Sequence, residues 1–291
     1  METLRVRIVI LNYNGVNLLP QCLPGIVQAA QRASFPTKVT VLDNLSQDNG
    51  LEYVRKEFPE VEIYNAPENK ILCSYNEYLP KISEPVVIFL NNDIRVDEGF
   101  VDPLVRKFQR DPQTFLTAPR VMSFDGTRLE AGRTEAKIKW GIFWAGAQFP
   151  GFEEQAKIAS ETYSSGFGAI SREKFLELGG YDTRFHPGIF EDIDLSYRAR
   201  QKGYKLYYEP DSVVYHMGQA SFKKAFGARG ISVMAHRNNF LFMWKNFSGF
   251  KFWIGHLFFL PFRLLFALCQ GKIALAAGFL EALKKQSSLK K

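Results

Sequence analysis

The chain has 291 residues, of which 46% are hydrophobic and 23% charged, long enough to bury a full core and too balanced for a disordered or collagen-like chain. Its formal net charge of +7 is concentrated in the tail: from residue 223 onward twelve Lys or Arg stand against one acid, Glu281, while the preceding part is mildly acidic. That asymmetry points to an anionic lipid surface and away from nucleic acid, and the odd, widely spaced Cys22, Cys73 and Cys269 argue against a disulfide framework or a zinc site.

In chain order, residues 5–11 place arginines inside what would otherwise be an apolar signal core, which predicts a first strand over 6–11 of a cytosolic chain. Further strands are expected over 38–42, 61–64 and 86–90, separated by helical stretches over 18–33, 51–58 and 70–82. This alternation is that of βαβ units with a parallel sheet, whose ligands gather beyond the carboxyl ends of the strands. Those ends read Asn12-Tyr13-Asn14-Gly15, Asp43-Asn44, Asn65 and Asn91-Asn92-Asp93. One such group is ordinary turn or cap chemistry, whereas four on one edge form a candidate polar pocket. The first turn has only Gly15 and lacks the glycine-rich dinucleotide fingerprint. A bound diphosphate would therefore need another neutraliser, and a divalent cation held by Asp93 is the economical choice.

Beyond Asp93 the reading gives a helix over 100–110, a strand near 115–121, a turn at Asp125-Gly126 and an aromatic stretch over 140–152. Trp140, Phe143 and Trp144 suit either a core or stacking on a sugar or lipid. A strand over 165–170 and a helix over 172–178, ended by Gly179-Gly180, follow. The segment 190–200 opens a helix with Glu191, Asp192 and Asp194. Three carboxylates in four residues exceed what the helix dipole calls for, and Glu191 and Asp192 lie where they can face a pocket.

The ordered set Val9-Ile10-Leu11-Asn12-Tyr13-Asn14-Gly15, Asp43-Asn44, Leu90-Asn91-Asn92-Asp93, Gly179-Gly180-Tyr181-Asp182, Glu191-Asp192-Ile193-Asp194-Leu195 and Tyr215-His216 resembles the motifs of family 2 glycosyltransferases. The rhamnosyltransferase-like bacterial members are the most similar, over residues 6–246, Arg237-Asn238 and Lys245-Asn246 included. The resemblance implies a GT-A fold, an α/β architecture in which a mainly parallel nucleotide-binding sheet flanked by helices (1–95) merges with an acceptor-binding half (96–246), followed by a helical tail (247–291). It also implies an inverting transfer from a UDP- or dTDP-sugar, dTDP-rhamnose among them, to a glycan or lipid-linked acceptor in bacterial surface polysaccharide synthesis.

On the same resemblance Asp192, with Glu191, is the catalytic base region. Asn12, Asn14, Asp43, Asn92 and Arg237 bind the donor nucleotide, and Asp93 and His216 hold Mn²⁺ or Mg²⁺. Asp43 would accept the ring N–H of a uracil or thymine. The first metal-motif position is Asn91 where the family has Asp, which lowers the local negative charge. A catalytically idle sugar-nucleotide or glycan-binding module of the same fold is the rival reading, opposed by the joint retention of Asp93, Asp192 and His216.

In the tail, residues 252–269 are almost long and apolar enough to span a bilayer, but Pro261 and Arg263 interrupt them. An interfacial helix is therefore expected in place of a span. A second apolar helix over 273–283 ends in Lys284-Lys285 and Lys290-Lys291, suited to anionic headgroups. The expected setting is the inner face of the cell membrane, as a peripheral protein, with homo-oligomers left open.

Overall fold

The computed structural model describes residues 4–218 and 220–288, with side chains at all of them except 220–223; Lys290 and Lys291 lie outside the described residues. The strands are β1 (Val6–Asn12), β2 (Thr37–Asp43), β3 (Glu62–Asn65), β4 (Val86–Asn91), β5 (Ile94–Val96), β6 (Thr114–Ser123), β7 (Leu129–Ala131), β8 (Glu135–Lys139), β9 (Ile142–Gly146), β10 (Ser160–Glu161), β11 (Gly168–Ser171) and β12 (Lys205–His216). The helices are α1 (Leu19–Arg32), α2 (Gly50–Glu57), α3 (Tyr75–Tyr78), α4 (Val101–Arg110), α5 (Phe152–Gln155), α6 (Arg172–Glu177), α7 (Glu191–Gln201), α8 (Ala220–Asn246), α9 (Phe250–Cys269) and α10 (Ile273–Ser288).

One mixed sheet runs β10-β12-β6-β11-β4-β1-β2-β3, with β5 on β12 and β7 on β6. The four strands β4, β1, β2 and β3 are parallel, and β11 enters antiparallel between β4 and β6. Strand β1 is buried along its whole length, as a central parallel strand covered on both faces must be. Its side chains alternate: Val6, Ile8 and Ile10 face the layer of α1 and α4, while Val9 and Leu11 face Tyr75, Phe175 and Leu195 of α3, α6 and α7. Arg7 shares that second face, where Glu84 (2.8 Å), Thr40 (2.8 Å) and Glu62 engage its two terminal nitrogens, so the buried charge is tolerated because it faces two carboxylates.

The helix expected over 70–82 is broken into a 3₁₀ turn, α3 and a second 3₁₀ turn. Ile71 adopts a positive φ of 53° and Pro80 removes an amide donor. The longest strand among the described residues, β12, is not among those expected from the sequence. It runs parallel to β6 with a register break between Glu209 and Val213, then pairs antiparallel with β5, setting His216 opposite Ile94.

A third core joins the tail to the body: Phe143, Phe185, Phe190, the run 240–243, Leu260 and Ala282 pack together. Helix α10 lies so close to α8 that a Cβ on Gly278 would approach His236 Cβ to 2.6 Å. One face of this second tail helix packs on the body, while Leu280, Leu283 and Lys284 stay exposed on the other. Ala282 is fully buried, and Lys285 turns inward to donate to the His186 carbonyl at 2.9 Å. Helix α9 presents a longer stripe of large apolar residues to solvent, each forgoing roughly 1.5–3 kcal/mol relative to burial.

Candidate active site

The strand order reverses between β1 and β4, the switch point where open α/β sheets bind ligands. A ladder of side chains crosses the strand ends there. Asn12, fully buried, donates from Nδ2 to Asp43 Oδ1 (2.7 Å) and accepts at Oδ1 from Asn92 Nδ2 (2.8 Å). The Ser46 backbone N–H donates to Asp43 Oδ2 at 2.9 Å, and the Ser46 hydroxyl to Asp43 Oδ1 at 2.5 Å. Asn14, at the left-handed φ of 50° that Asn tolerates, accepts the Gln47 N–H at 2.8 Å and fixes the β1 turn to the β2 turn. Gly15 is required by close approach, since a Cβ there would meet Asn12 Oδ1 at 2.1 Å. The structure thus brings Asn12, Asn14, Asp43 and Asn92 onto one ledge, with Asp43 Oδ2 accepting a single hydrogen bond.

Asp93 follows this ledge and directly precedes β5. Because β5 pairs with the end of β12, His216 arrives beside it: His216 Nε2 is 3.5 Å from Asp93 Oδ2, and the Met217 N–H donates to the Asp93 carbonyl at 3.1 Å. On the other side His216 Nδ1 lies 3.2 Å from Glu130 Oε2. Burial pulls the His216 pKa down, but Asp93 and Glu130 outweigh it and the net displacement is upward. Glu130 has no signal in the sequence because β7, which carries it, is three residues long and shows no periodicity.

The fit of a divalent cation rests on one atom: Asp93 Oδ1 is buried with no hydrogen-bond partner. Among the described residues no group of three His, Cys, Asp or Glu side chains forms a cage. Two side chains converging with one free carboxylate oxygen suit an ion of the Mg²⁺ or Mn²⁺ kind, which completes its shell with water and substrate phosphates.

The carboxylates of α7 divide into separate roles. Asp194, fully buried, is saturated by Lys245 Nζ (2.8 Å), Arg198 Nε (2.7 Å) and Asn246 Nδ2 (2.9 Å), a structural anchor. Glu191 Oε2 is buried and unpaired. Burial, helped by neighbouring Asp192, pushes its pKa up to about 8. Asp192 is half-buried and its pKa is raised by desolvation. It lines a crevice with Ser165, Gly166, Phe167 and Tyr181. Phe167 also lies against His216, ring centroids 5.5 Å apart, so one loop touches both the Asp192 crevice and the Asp93–His216 pair.

The raised Glu191 pKa carries a stability prediction. The unfolded side chain releases its proton near the ordinary 4.5, whereas the folded one keeps it to about 8. Folding therefore takes up a proton between these values, and stability falls as pH rises through that window. Glu191→Gln is expected to raise the melting temperature at pH 8 relative to the wild type and to change it little at pH 4.5, read by thermal unfolding at both pH values.

Arg237 stands apart from the ledge. It donates from Nε to Asn238 Oδ1 (2.9 Å) and from Nη2 to the His186 carbonyl (3.1 Å), with Glu281 at 4.0 Å. Its neighbour Asn238, fully buried, sets Nδ2 2.8, 2.7 and 2.8 Å from the carbonyls of Phe185, Gly188 and Ile189. This amide holds the loop into α7, where Ile189 and Phe190 take left-handed φ values of 71° and 85°, strained for such side chains.

The model of the family described as Glycosyl transferase family 2 matches residues 7–179. The chain is 24% identical over 217 residues to polypeptide N-acetylgalactosaminyltransferase 6 of Bos taurus, covering 68% of this chain and 35% of that protein. It is 23% identical over 243 residues to N-acetylgalactosaminyltransferase 7 of Drosophila melanogaster, covering 76% and 40% respectively. The chain thus spans well under half the length of these relatives. Among solved structures it is similar to GalNAc-T7 with UDP, GalNAc and Mn²⁺, at a TM-score of 0.59 and 21% identity over 74% of this chain and 44% of that one. It is also similar to mannosyltransferase PcManGT from Pyrobaculum calidifontis in complex with GDP-Man and Mn²⁺, at a TM-score of 0.58 and 15% identity over 99% of this chain and 76% of that one.

Proposed function

Since the chain belongs to glycosyl transferase family 2 and carries the GT-A fold, we propose that it is a metal-dependent, inverting transferase moving a sugar from a UDP- or dTDP-sugar to a hydroxyl of a glycan or lipid-linked acceptor. The carrying observation is that Asp192 and the Asp93–His216 pair are joined by the single loop around Phe167. A base for the acceptor and a ligand set for the donor diphosphate thereby address one region.

An alcohol is a poor nucleophile near neutral pH. Asp192, whose burial raises its basicity, takes the hydroxyl proton as the acceptor oxygen bonds to the anomeric carbon and the bond to the diphosphate breaks on the opposite face. Glu191 stays protonated beside it at neutral pH, so no second negative charge opposes the base. The Asn12–Asp43–Asn92 ledge orients the nucleoside, Asp43 Oδ2 accepting a base N–H and Asn92 facing the ribose. Asp93 and His216 would hold the cation, which supplies charge neutralisation to the departing diphosphate. Rhamnose as the sugar, and surface polysaccharide as the product, rest on the motif resemblance; the relatives named above are N-acetylgalactosaminyl- and mannosyltransferases.

A thermal-shift screen of UDP-, dTDP-, GDP- and CMP-sugars with and without Mn²⁺ or Mg²⁺ tests this reading, because ligands that bind the native state raise its melting temperature. A shift with a UDP- or dTDP-sugar that requires the metal is the expected result. A GDP-sugar shift would reassign the base, and no shift with any donor would leave an idle module of the same fold.

A further inference from the structure

We propose that the protein docks on an anionic bilayer through a platform built from two pieces distant in sequence, the outer face of α9 and the tip of the β8–β9 hairpin, with α9 lying in the membrane plane. This is independent of the catalytic reading.

The 20-residue α9 helix contains an 18-residue apolar stretch with a mean hydropathy of 1.7, of which only 17% is buried. Phe250 (78% exposed), Ile254, Leu257, Phe258, Phe262 (62%) and Leu265 recur at helical spacing as one stripe. The opposite side is fastened to the body. His256, almost fully buried, lies with Nδ1 2.7 Å from the Gly141 carbonyl and accepts at Nε2 from Trp244 Nε1 at 3.2 Å. Arg263 donates to the Lys139 carbonyl at 2.8 Å. Crossing a bilayer would tear these bonds away and leave His256, Arg263 and two carbonyls unsatisfied in hydrocarbon, so the helix lies flat.

The same bonds attach the hairpin. Gly141, at φ 68°, sits where a Cβ would come within 2.6 Å of the His256 Cα, so only glycine lets the tip rest on α9. Trp140 then packs edge-on against Phe259, centroids 5.0 Å apart, yet remains 55% exposed, with Ile138 exposed beside it. The hairpin thus extends the apolar stripe with an aromatic of the kind enriched at membrane interfaces.

Charge commits the surface to a bilayer. No acid occurs between Asp211 and Glu281, and exposed Lys251, Lys272, Lys137 and Lys139 flank the stripe. Acidic headgroups complement such a rim, whereas a second copy would bring like charges together.

Sedimentation of the full chain with vesicles of phosphatidylcholine alone, and of phosphatidylcholine with an equimolar share of phosphatidylglycerol, tests the platform without donor or acceptor. Binding to the acidic vesicles is expected. Phe258→Ser with Phe262→Ser, and separately Ile138→Ser with Trp140→Ser, should each lower partitioning about tenfold or more, since every buried methylene contributes to membrane affinity. All four side chains are exposed, so the variants keep the fold, which circular dichroism checks. Brominated acyl chains should quench tryptophan fluorescence in the wild type and lose most of that effect in Trp140→Phe. Wild type left in the supernatant with acidic vesicles would overturn the proposal. So would hairpin variants that bind normally, quenching that survives Trp140→Phe, or a dimer in light scattering that the same variants dissolve.

Discussion

Asp192→Asn is expected to lower turnover by about two to four orders of magnitude, the usual contribution of a positioned general base, while leaving donor affinity by calorimetry nearly unchanged. The side chain keeps its shape and place at the crevice beside Gly166 and Phe167, so only proton acceptance is removed. Asp194→Asn supplies the contrast. That carboxylate is enclosed by Lys245, Arg198 and Asn246, and neutralising it takes from Arg198 its carboxylate partner and leaves Lys245 with Asp182 alone. Its loss should therefore appear as a lowered melting temperature. In the wild type the acid limb of kcat/KM should lie above the ordinary aspartate range, because burial raises Asp192. Glu191 and Asp192 are coupled, so that limb belongs to the pair. Near-normal turnover in Asp192→Asn would move the base elsewhere.

The second large effect is expected at Asp93. Asp93→Ala should abolish the metal-dependent part of the donor's thermal shift and reduce turnover by about a hundredfold or more, the scale of losing one charge-stabilising element at a developing anion. The reason is the single buried oxygen, Oδ1, that has no protein partner. His216→Ala should act in the same direction and more weakly, since a water can occupy the imidazole's position. A donor shift in Asp93→Ala that still needs Mn²⁺ would place the ion on other residues.

The parallel half of the fold was legible because its code is local. The alternation of apolar runs with helical stretches places β1 to β4 within two residues of their observed limits, and the Asn- and Asp-rich strand ends point to the ledge that forms there. What the sequence withheld depends on pairing between distant segments. Strand β12 alternates buried with half-exposed or exposed residues, but its partners β6 and β5 lie about a hundred residues earlier. Without them neither the approach of His216 to Asp93 nor the part played by Glu130 can be read. The two acids after Glu191 look equivalent in sequence. Only tertiary placement, with Lys245 and Asn246 arriving from α8, makes Asp194 an anchor and leaves Asp192 facing a crevice.

The Asn238 clamp divides the molecule's resistance to heat. Ile189 and Phe190 store backbone strain next to Glu191, and the Asn238 amide, its two hydrogens shared among three carbonyls, opposes its release together with the Arg237 and Lys285 bonds to the His186 carbonyl. The sheet beneath is held by many cooperative ladder bonds, so the entry to α7 should open at a lower free energy than the β-core. Warming should then disorganise the carboxylate pair before the β-core melts, giving an inactive but still folded population. Activity would fade on a curve of its own, several degrees ahead of global unfolding.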